Sequence, residues 1–166
     1  MPASGMPASP TPAPPMAAPQ QQLRYWTSFH TYLLAHSHMI APRKPTSRYF
    51  ALYSTGDPET LLVAGIYLRE QQLRVGLILQ SPDAKEQFRH LHDNRDAIER
   101  AIGAPLRWRE RQEDKRSYID LFDGSLDPND IEHWPVQHRW MCEMLEAFHA
   151  TFLPRLHAMA GGNQGA

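Results

Sequence analysis

Three arginines alternate with apolar residues in the second half of the chain. Arg107, Arg109 and Arg111 occupy every other position of residues 106–111, and the apolar residues Leu106 and Trp108 occupy positions that alternate with them. Because successive side chains of a β-strand point to opposite faces, this spacing predicts one basic face and one buried face. A guanidinium group suits planar, bidentate contacts with phosphate oxygens. The basic face could therefore bind the backbone of a nucleic acid.

A second basic group is formed by Arg43 and Lys44, which lie between two prolines, and by Arg48, which precedes the first predicted strand. We treat both groups as candidate nucleic-acid-binding residues, and the sequence leaves open whether they are adjacent in the fold. The alternative is a solvated face whose arginines pair with acidic neighbours. Those neighbours are Glu110, Glu113, Asp114 and Asp120.

The residues Pro82-Asp83, followed by Glu113-Asp114-Lys115, have the spacing of a metal-dependent nuclease signature. In such enzymes acidic groups hold magnesium and a lysine lies near the attacking water. That chemistry needs carboxylates on neighbouring strands. Here Asp83 falls in the first turn of a predicted helix, and residues 113–115 fall in a predicted hairpin turn. We keep a nuclease-like enzyme as an alternative and predict no catalytic residue.

Other reactive side chains are scattered. The histidines of the pairs His36/His38 and His90/His92 are two residues apart, and such residues point in different directions on a helix. Cys142 lies in an apolar helical stretch, which is typical of a small core residue rather than a nucleophile. We expect neither a metal site nor a cofactor.

Composition restricts the location and the class of partner. The 166 residues carry a net charge of −1, which gives no global attraction to nucleic acid or membrane. The single cysteine favours a reducing compartment such as the cytoplasm. There is neither a signal-peptide pattern nor an apolar stretch approaching the roughly 20 residues of a membrane span. The sequence therefore predicts a soluble cytoplasmic protein without a membrane partner.

Prolines divide the chain into regions. Residues 1–20 are rich in Pro and Ala and predict a disordered tail. Residues 21–157 form one predicted domain, and 158–166 a flexible C-terminal tail. The first helix is expected from Gln21 to the prolines at 42 and 45. Its apolar stripe comprises Leu23, Trp26, His30, Leu33 and Leu34, with Tyr25, Phe29 and Tyr32 beside it. So wide a stripe predicts burial on more than one side.

Alternating apolar residues predict strands in two groups, separated by one helix. Ser81, Pro82 and Gly103 mark the start and end of that helix. The link at residues 70–72 is too short for a parallel crossover, so the second and third strands must form an antiparallel hairpin. The predicted strands are Tyr49–Ser54, Leu61–Arg69, Leu73–Leu79, Leu106–Arg111 and Arg116–Phe122.

A last helix is predicted from Pro135, with its end disrupted at Pro154. Its apolar stripe comprises Val136, Trp140, Met144, Phe148 and Phe152, and Met141 and Leu145 widen it. The order is α-β-β-β-α-β-β-α, which predicts an α+β fold of about five antiparallel strands with three helices packed on the sheet. The aromatic-rich helices offer more apolar surface than one small sheet needs. A self-assembling domain, such as a homodimer, is therefore a further alternative.

Four segments together resemble a bacterial family, the domain of unknown function numbered 4268, over about residues 21–157. They are Leu23–Trp26, the central hairpin, Asp130–Pro135 and Phe148–Arg155. The resemblance implies an accessory or recognition role linked to nucleic acid or defence, and it supplies no catalytic residues. We therefore predict a non-catalytic binding or accessory module with a protein or nucleic-acid partner.

Overall fold

The computed structural model of the chain describes residues 16–111 and 113–164. Within these ranges four α-helices and five β-strands follow one another, with a short 3-10 helix, Ile131–His133, before the last helix. The helices are α1 Ala18–His36, α2 Ala84–Asp93, α3 Arg95–Ile102 and α4 Trp134–Gln164. The strands are β1 Phe50–Ser54, β2 Thr60–Tyr67, β3 Gln72–Leu79, β4 Arg107–Glu110 and β5 Ser117–Asp123.

The five strands form one sheet in the order β1-β2-β3-β5-β4, and every neighbouring pair is antiparallel. The predicted α+β class is therefore confirmed, and each strand lies within two residues of its expected bounds. The helix count differs by one, because the predicted second helix consists of α2 and α3.

The break between α2 and α3 lies at Asn94. Its backbone N–H donates to the Leu91 carbonyl at 3.0 Å, three residues back, and its Nδ2 donates to the His90 carbonyl at 3.0 Å. Asparagine competes in this way with regular helical bonding. Gly103 ends α3 in the left-handed region at φ 90°, as predicted. The predicted apolar face is buried across both helices, at Ala84, Phe88, Leu91, Ile98 and Ile102.

The hydrophobic core lies between one face of the sheet and the helices. Because strand side chains alternate, the register assigns every second residue of β2, β3 and β5 to this face. It contains Leu62, Ala64, Ile66, Leu73, Val75, Leu77, Leu79, Ile119 and Leu121, all packed with buried residues of the helices.

The stripe predicted for α1 was wrong at both ends. Leu23 is 43% exposed and Leu34 is 65% exposed. Phe29 instead packs on Tyr53 of β1, with 6.3 Å between ring centroids. The helix also starts before Gln21 and ends at His36. The residues that it buries are Tyr25, Trp26, Phe29 and Leu33.

The stripe predicted for α4 was correct only in its second half. Phe148 and Phe152 are fully buried, whereas Val136 is 58% exposed. The helix continues through Pro154 to Gln164, so Pro154 does not end it. Met141 and Leu145, which were expected to widen the stripe, are fully buried, and Leu156 is buried in addition.

The predicted tails fall at the limits of the described residues. Residues 1–15 of the predicted N-terminal tail lie outside them, and residues 18–20 form the first turn of α1. In the predicted C-terminal tail, α4 remains helical as far as Gln164.

Candidate functional site

The sheet face opposite the core carries arginines and aromatic rings. Alternation and register assign these side chains to one surface, which we call the open face. None of its members belongs to the hydrophobic core, and the described helices pack on the other side. The open face includes Phe50, Tyr67, Arg74, Arg107, Arg109, Tyr118, Asp120 and Phe122.

A carboxylate, Asp120, lies at the centre of the open face and is completely buried. The Nε atom of Arg74 donates to its Oδ1 at 2.7 Å, and Nη2 of Arg109 donates to its Oδ2 at 2.5 Å. Nη2 of Arg74 lies 2.6 Å from the same Oδ1, without the alignment of a further hydrogen bond. One acidic group is thus held between two guanidinium groups, which leaves the cluster positively charged.

Two strand glycines make room for this cluster. Gly76 lies opposite Asp120, and a Cβ atom at position 76 would lie 2.2 Å from Asp120 Oδ1. Gly65 lies opposite Arg74, and a Cβ atom there would lie 3.0 Å from the Tyr67 ring. Glycine within a strand often marks such a close approach.

Arg74 remains charged in this setting. Burial by itself would lower the pKa of its guanidinium group, but the Asp120 carboxylate and the Tyr67 hydroxyl raise that pKa above its ordinary value. Nη1 of Arg74 also donates to the Tyr67 hydroxyl at 3.3 Å. The positive charge is therefore fixed in place next to an aromatic ring.

Four rings form a continuous series, which we call the aromatic row; Phe122, Tyr67 and Phe50 belong to the open face, and Tyr49 directly precedes β1. The ring centroids of Phe122 and Tyr67 are 5.8 Å apart, those of Tyr67 and Tyr49 are 5.6 Å apart, and those of Tyr49 and Phe50 are 5.0 Å apart. The row thus runs from β5 past the end of β2 to β1. Tyr49 is 48% exposed, and the other three rings are half-buried.

A guanidinium group lies over the ring at each end of the row. The Arg107 Cζ is 4.5 Å from the Phe122 centroid, and the Arg48 Cζ is 5.9 Å from the Phe50 centroid. Both distances are within the range of cation–π attraction. Beside the row, the Cζ atoms of Arg109 and Arg111 lie 5.4 and 5.5 Å from the ring centroid of Tyr118. The row therefore combines aromatic surfaces with guanidinium groups, which are suited to planar contacts with anionic oxygens.

The two predicted basic groups lie at opposite edges of the sheet, near β4 and β1. The two edge strands are separated by four strand-to-strand spacings, which amount to about 19 Å. Of the six residues in these groups, Arg109 is the only one with an acidic partner among the described residues, as the salt-bridged alternative requires. Within residues 16–111 and 113–164, Arg107, Arg111 and the group Arg43, Lys44 and Arg48 form no ion pair.

Sequence reasoning missed Arg74 and the aromatic row, and it named Asp120 only as an acidic neighbour with which the arginines could pair. The available signal was weak and consisted of two glycines within strands and of aromatic residues at strand ends. The row is assembled from residues of three strands and from Tyr49, which precedes β1. No pattern within a single segment of the sequence could therefore reveal it.

The nuclease-like alternative gains no support from the geometry. Asp83 is the exposed residue that precedes α2, and Glu113 and Lys115 are exposed in the β4–β5 turn, where the sequence placed them. Gln112 of that turn lies outside the described residues. In the described part of the chain, no three His, Cys, Asp or Glu side chains lie close enough together to hold a metal ion.

Cys142 is buried on α4, and its Sγ donates to Glu146 Oε1 at 3.3 Å. Burial, together with a smaller effect of the Glu146 carboxylate, raises the thiol pKa to about 12. The thiolate, which is the nucleophilic form, is therefore disfavoured at neutral pH. This agrees with the prediction of a core residue.

Comparisons with known proteins identify a family and nothing more specific. The model of a family described as Domain of unknown function (DUF4268) matches residues 21–156. The match covers most of the chain and confirms the resemblance inferred from the sequence. A search of curated proteins and a search of solved structures gave no match. None of the described helices is long and apolar enough to cross a membrane.

Proposed function

The chain belongs to the family Domain of unknown function (DUF4268), and we propose that it is a non-catalytic module that binds single-stranded nucleic acid on the open face. The observation that carries the proposal is the aromatic row with a guanidinium group at each end. Proteins that bind single strands combine aromatic side chains, on which bases stack, with a positively charged track for the backbone.

The exposure of the rings favours unpaired bases. In a duplex the base faces are stacked on one another, and only their edges are accessible in the grooves. A single strand can instead turn its bases toward Tyr49 and the other half-buried rings of the row. Each base that stacks on an aromatic side chain contributes about 1–3 kcal/mol to binding.

The arginines that have no ion pair would contact the phosphates. Arg107 and Arg111 lie at the β4 edge, and Arg48 lies at the β1 edge. Arg43 and Lys44, beyond Arg48, would add positive charge at that end of the row. Because the chain as a whole is nearly neutral, the attraction is local to this surface. The cytoplasmic location predicted from the single cysteine is compatible with such a ligand.

The test is the fluorescence anisotropy of a labelled twelve-residue thymidine oligonucleotide, titrated with the full chain at several salt concentrations. We expect tighter binding to this probe than to a twelve-base-pair duplex. A variant carrying Arg48→Ser, Arg107→Ser and Arg111→Ser should lower the salt slope by about 2, since each phosphate contact on a single strand contributes about 0.7. Arg109 is left unchanged because it pairs with the buried Asp120.

A matched control carries Arg24→Ser, Arg95→Ser and Arg100→Ser. These arginines are exposed on helices, and their loss changes the net charge equally. The control should bind as the unmodified protein does. If both triple variants lose the same amount of affinity, only net charge matters. If the variant with Arg48→Ser, Arg107→Ser and Arg111→Ser binds as the unmodified protein does, the proposal is contradicted.

Stacking is tested separately with Tyr49, the most exposed ring of the row. Tyr49→Ala should weaken binding by about fivefold or more, and Tyr49→Phe should not, because phenylalanine keeps the stacking surface. The salt slope should stay the same in both variants. If Tyr49→Ala binds the oligonucleotide as tightly as the unmodified protein does, stacking on the aromatic row does not contribute to binding.

A further inference from the structure

A groove of about 330 Å³ lies beside β1, at an edge of the sheet that no other described strand covers. One wall is the segment 42–48, which two hydrogen bonds hold against α1. His30 Nδ1 donates to the Arg43 carbonyl at 2.9 Å, and Trp26 Nε1 donates to the Arg48 carbonyl at 2.7 Å. The His30 nitrogen must carry the proton, because a carbonyl oxygen only accepts. The wall is therefore attached to the domain along its length.

The backbone of β1 presents unpaired groups to this groove. Ile66 N–H donates to the Tyr49 carbonyl at 2.8 Å, which shows that the Tyr49 backbone faces β2. Backbone direction alternates along an antiparallel pair, so Ala51 also faces β2, whereas Phe50 and Leu52 face outward. Within the described residues, the outward N–H and C=O groups of Phe50 and Leu52 have no hydrogen-bond partner. Such an edge is a template for another strand.

The charged side chains that line the groove are all cationic. Arg43, Lys44 and Arg48 line it, and no aspartate or glutamate does. All three cationic side chains are exposed and form no ion pair within residues 16–111 and 113–164. The apolar part of the lining is supplied by Trp26, Leu33, Pro42 and Pro45. The groove is therefore complementary to an acidic ligand.

We propose that this groove binds an extended acidic peptide of a partner protein, which joins the sheet as an additional strand beside β1. The outward groups of Phe50 and Leu52 hydrogen-bond to the peptide backbone, and the three cations select acidic side chains. This site differs from the proposed nucleic-acid site, because it uses the backbone at the outer edge of β1 rather than the open face. The two sites share Phe50 and the cations Arg43, Lys44 and Arg48.

The backbone groups favour a peptide over a nucleic acid. A strand edge offers donors and acceptors in alternation, with a repeat of nearly 7 Å for every second residue. A peptide backbone matches both kinds of group. A phosphate backbone carries acceptors only, so it would leave the carbonyl groups of Phe50 and Leu52 unpaired.

The test uses nuclear magnetic resonance on the full chain with two synthetic peptides, five repeats of Thr-Glu and five repeats of Thr-Lys. We expect the glutamate peptide to bind about tenfold more tightly or better at low salt. When bound, it should slow hydrogen exchange at the Phe50 and Leu52 amides by about tenfold or more. The amides of Ala51 and Tyr53, already bonded to β2, should change little.

Two variants of one residue isolate the backbone contact. Leu52→Pro removes an N–H that points away from β2, a position where an edge strand tolerates proline. Leu52→Ala shortens the same side chain and keeps the N–H. Binding of the glutamate peptide should be lost in Leu52→Pro and retained in Leu52→Ala. A variant with Arg43→Ser and Lys44→Ser should lose the preference for the glutamate peptide.

Several results would overturn the proposal. They are equal affinity for the two peptides, full binding by folded Leu52→Pro, or unchanged exchange at Phe50 and Leu52 with millimolar glutamate peptide. Protection of those two amides by the thymidine oligonucleotide instead would assign the groove to nucleic acid. If Leu52→Pro does not fold, the exchange measurement on the unmodified chain decides alone.

Discussion

Gly76 and Asp120 lie directly opposite each other on β3 and β5, and the Asp120 carboxylate occupies the space that a side chain at position 76 would need. A Cβ atom there would lie 2.2 Å from Asp120 Oδ1. The buried ion pairs of Asp120 therefore depend on the absence of a side chain at position 76.

We expect Gly76→Ala to lower the free energy of unfolding by about 2–3 kcal/mol, because the added methyl group must displace a carboxylate held by two arginines. Urea unfolding followed by circular dichroism measures the change. Gly124→Ala is the control, since a Cβ atom there meets nothing within 4 Å. It should change stability by about 0.5 kcal/mol or less. Similar effects in the two variants would contradict the steric explanation.

Arg109 and Arg107 should differ in their contribution to stability. Arg109→Ser leaves the buried Asp120 carboxylate with one guanidinium partner, and we expect a loss of about 1–3 kcal/mol. Arg107→Ser removes an exposed side chain without an ion pair in the described part of the chain, and should cost about 0.5 kcal/mol. Thermal and urea unfolding of the two variants check this order, and a reversed order would refute it.

His138 should make stability depend on pH. Burial lowers its pKa from 6.5 to about 4, and its ring lies 4.9 Å from the Tyr25 ring. Between pH 6.5 and pH 4 the unfolded chain binds more protons, so stability falls as pH falls. The full loss is about 3 kcal/mol.

Replacing the histidine should remove most of this dependence. We expect His138→Leu to flatten the stability profile between pH 6.5 and pH 4, with little loss at pH 7.5, because leucine is apolar and His138 Nε2 has no partner in the described residues. Urea unfolding at four pH values gives the profile. His157→Leu, at an exposed position of α4, should keep the original slope. An unchanged slope in His138→Leu would assign the dependence to other groups.

Two aromatic residues of the stripe predicted for α4 should differ in their contribution to stability. Phe148 is fully buried, and Phe148→Ala should cost about 3–5 kcal/mol. Trp140 is half-buried beside a shallow groove, so Trp140→Ala should cost only about 1–2 kcal/mol. Denaturant unfolding of the pair measures the difference. A larger cost for Trp140 than for Phe148 would contradict this expectation.

The errors in the two long helices have one cause. Both α1 and α4 are rich in apolar and aromatic residues, so several overlapping stripes satisfy the helical period. Leu23 and Val136 fit that period as well as Tyr25 and Met141 do. Packing selects among the stripes, because the helix turns toward the neighbours that bury the most surface. The helical period of the sequence alone does not show which neighbours those are.

The strands, by contrast, could be predicted closely because their signal is local. Alternation along residues 73–79, and the short link at residues 70–72, are sufficient to predict a strand and an antiparallel hairpin. The sequence alone thus determined the α+β class, the five strands, the end of α3 at Gly103 and the basic face around Arg107.

Only the tertiary structure decided which residues share a surface. The order β1-β2-β3-β5-β4 places β5 beside β3 and pairs Asp120 with Gly76, although the two residues are far apart in the chain. The same order lets Phe122, Tyr67 and Tyr49 meet in one row. Strand order depends on how helices and sheet bury apolar area together, which is a property of the whole fold. A periodicity within one strand carries no information about its neighbours.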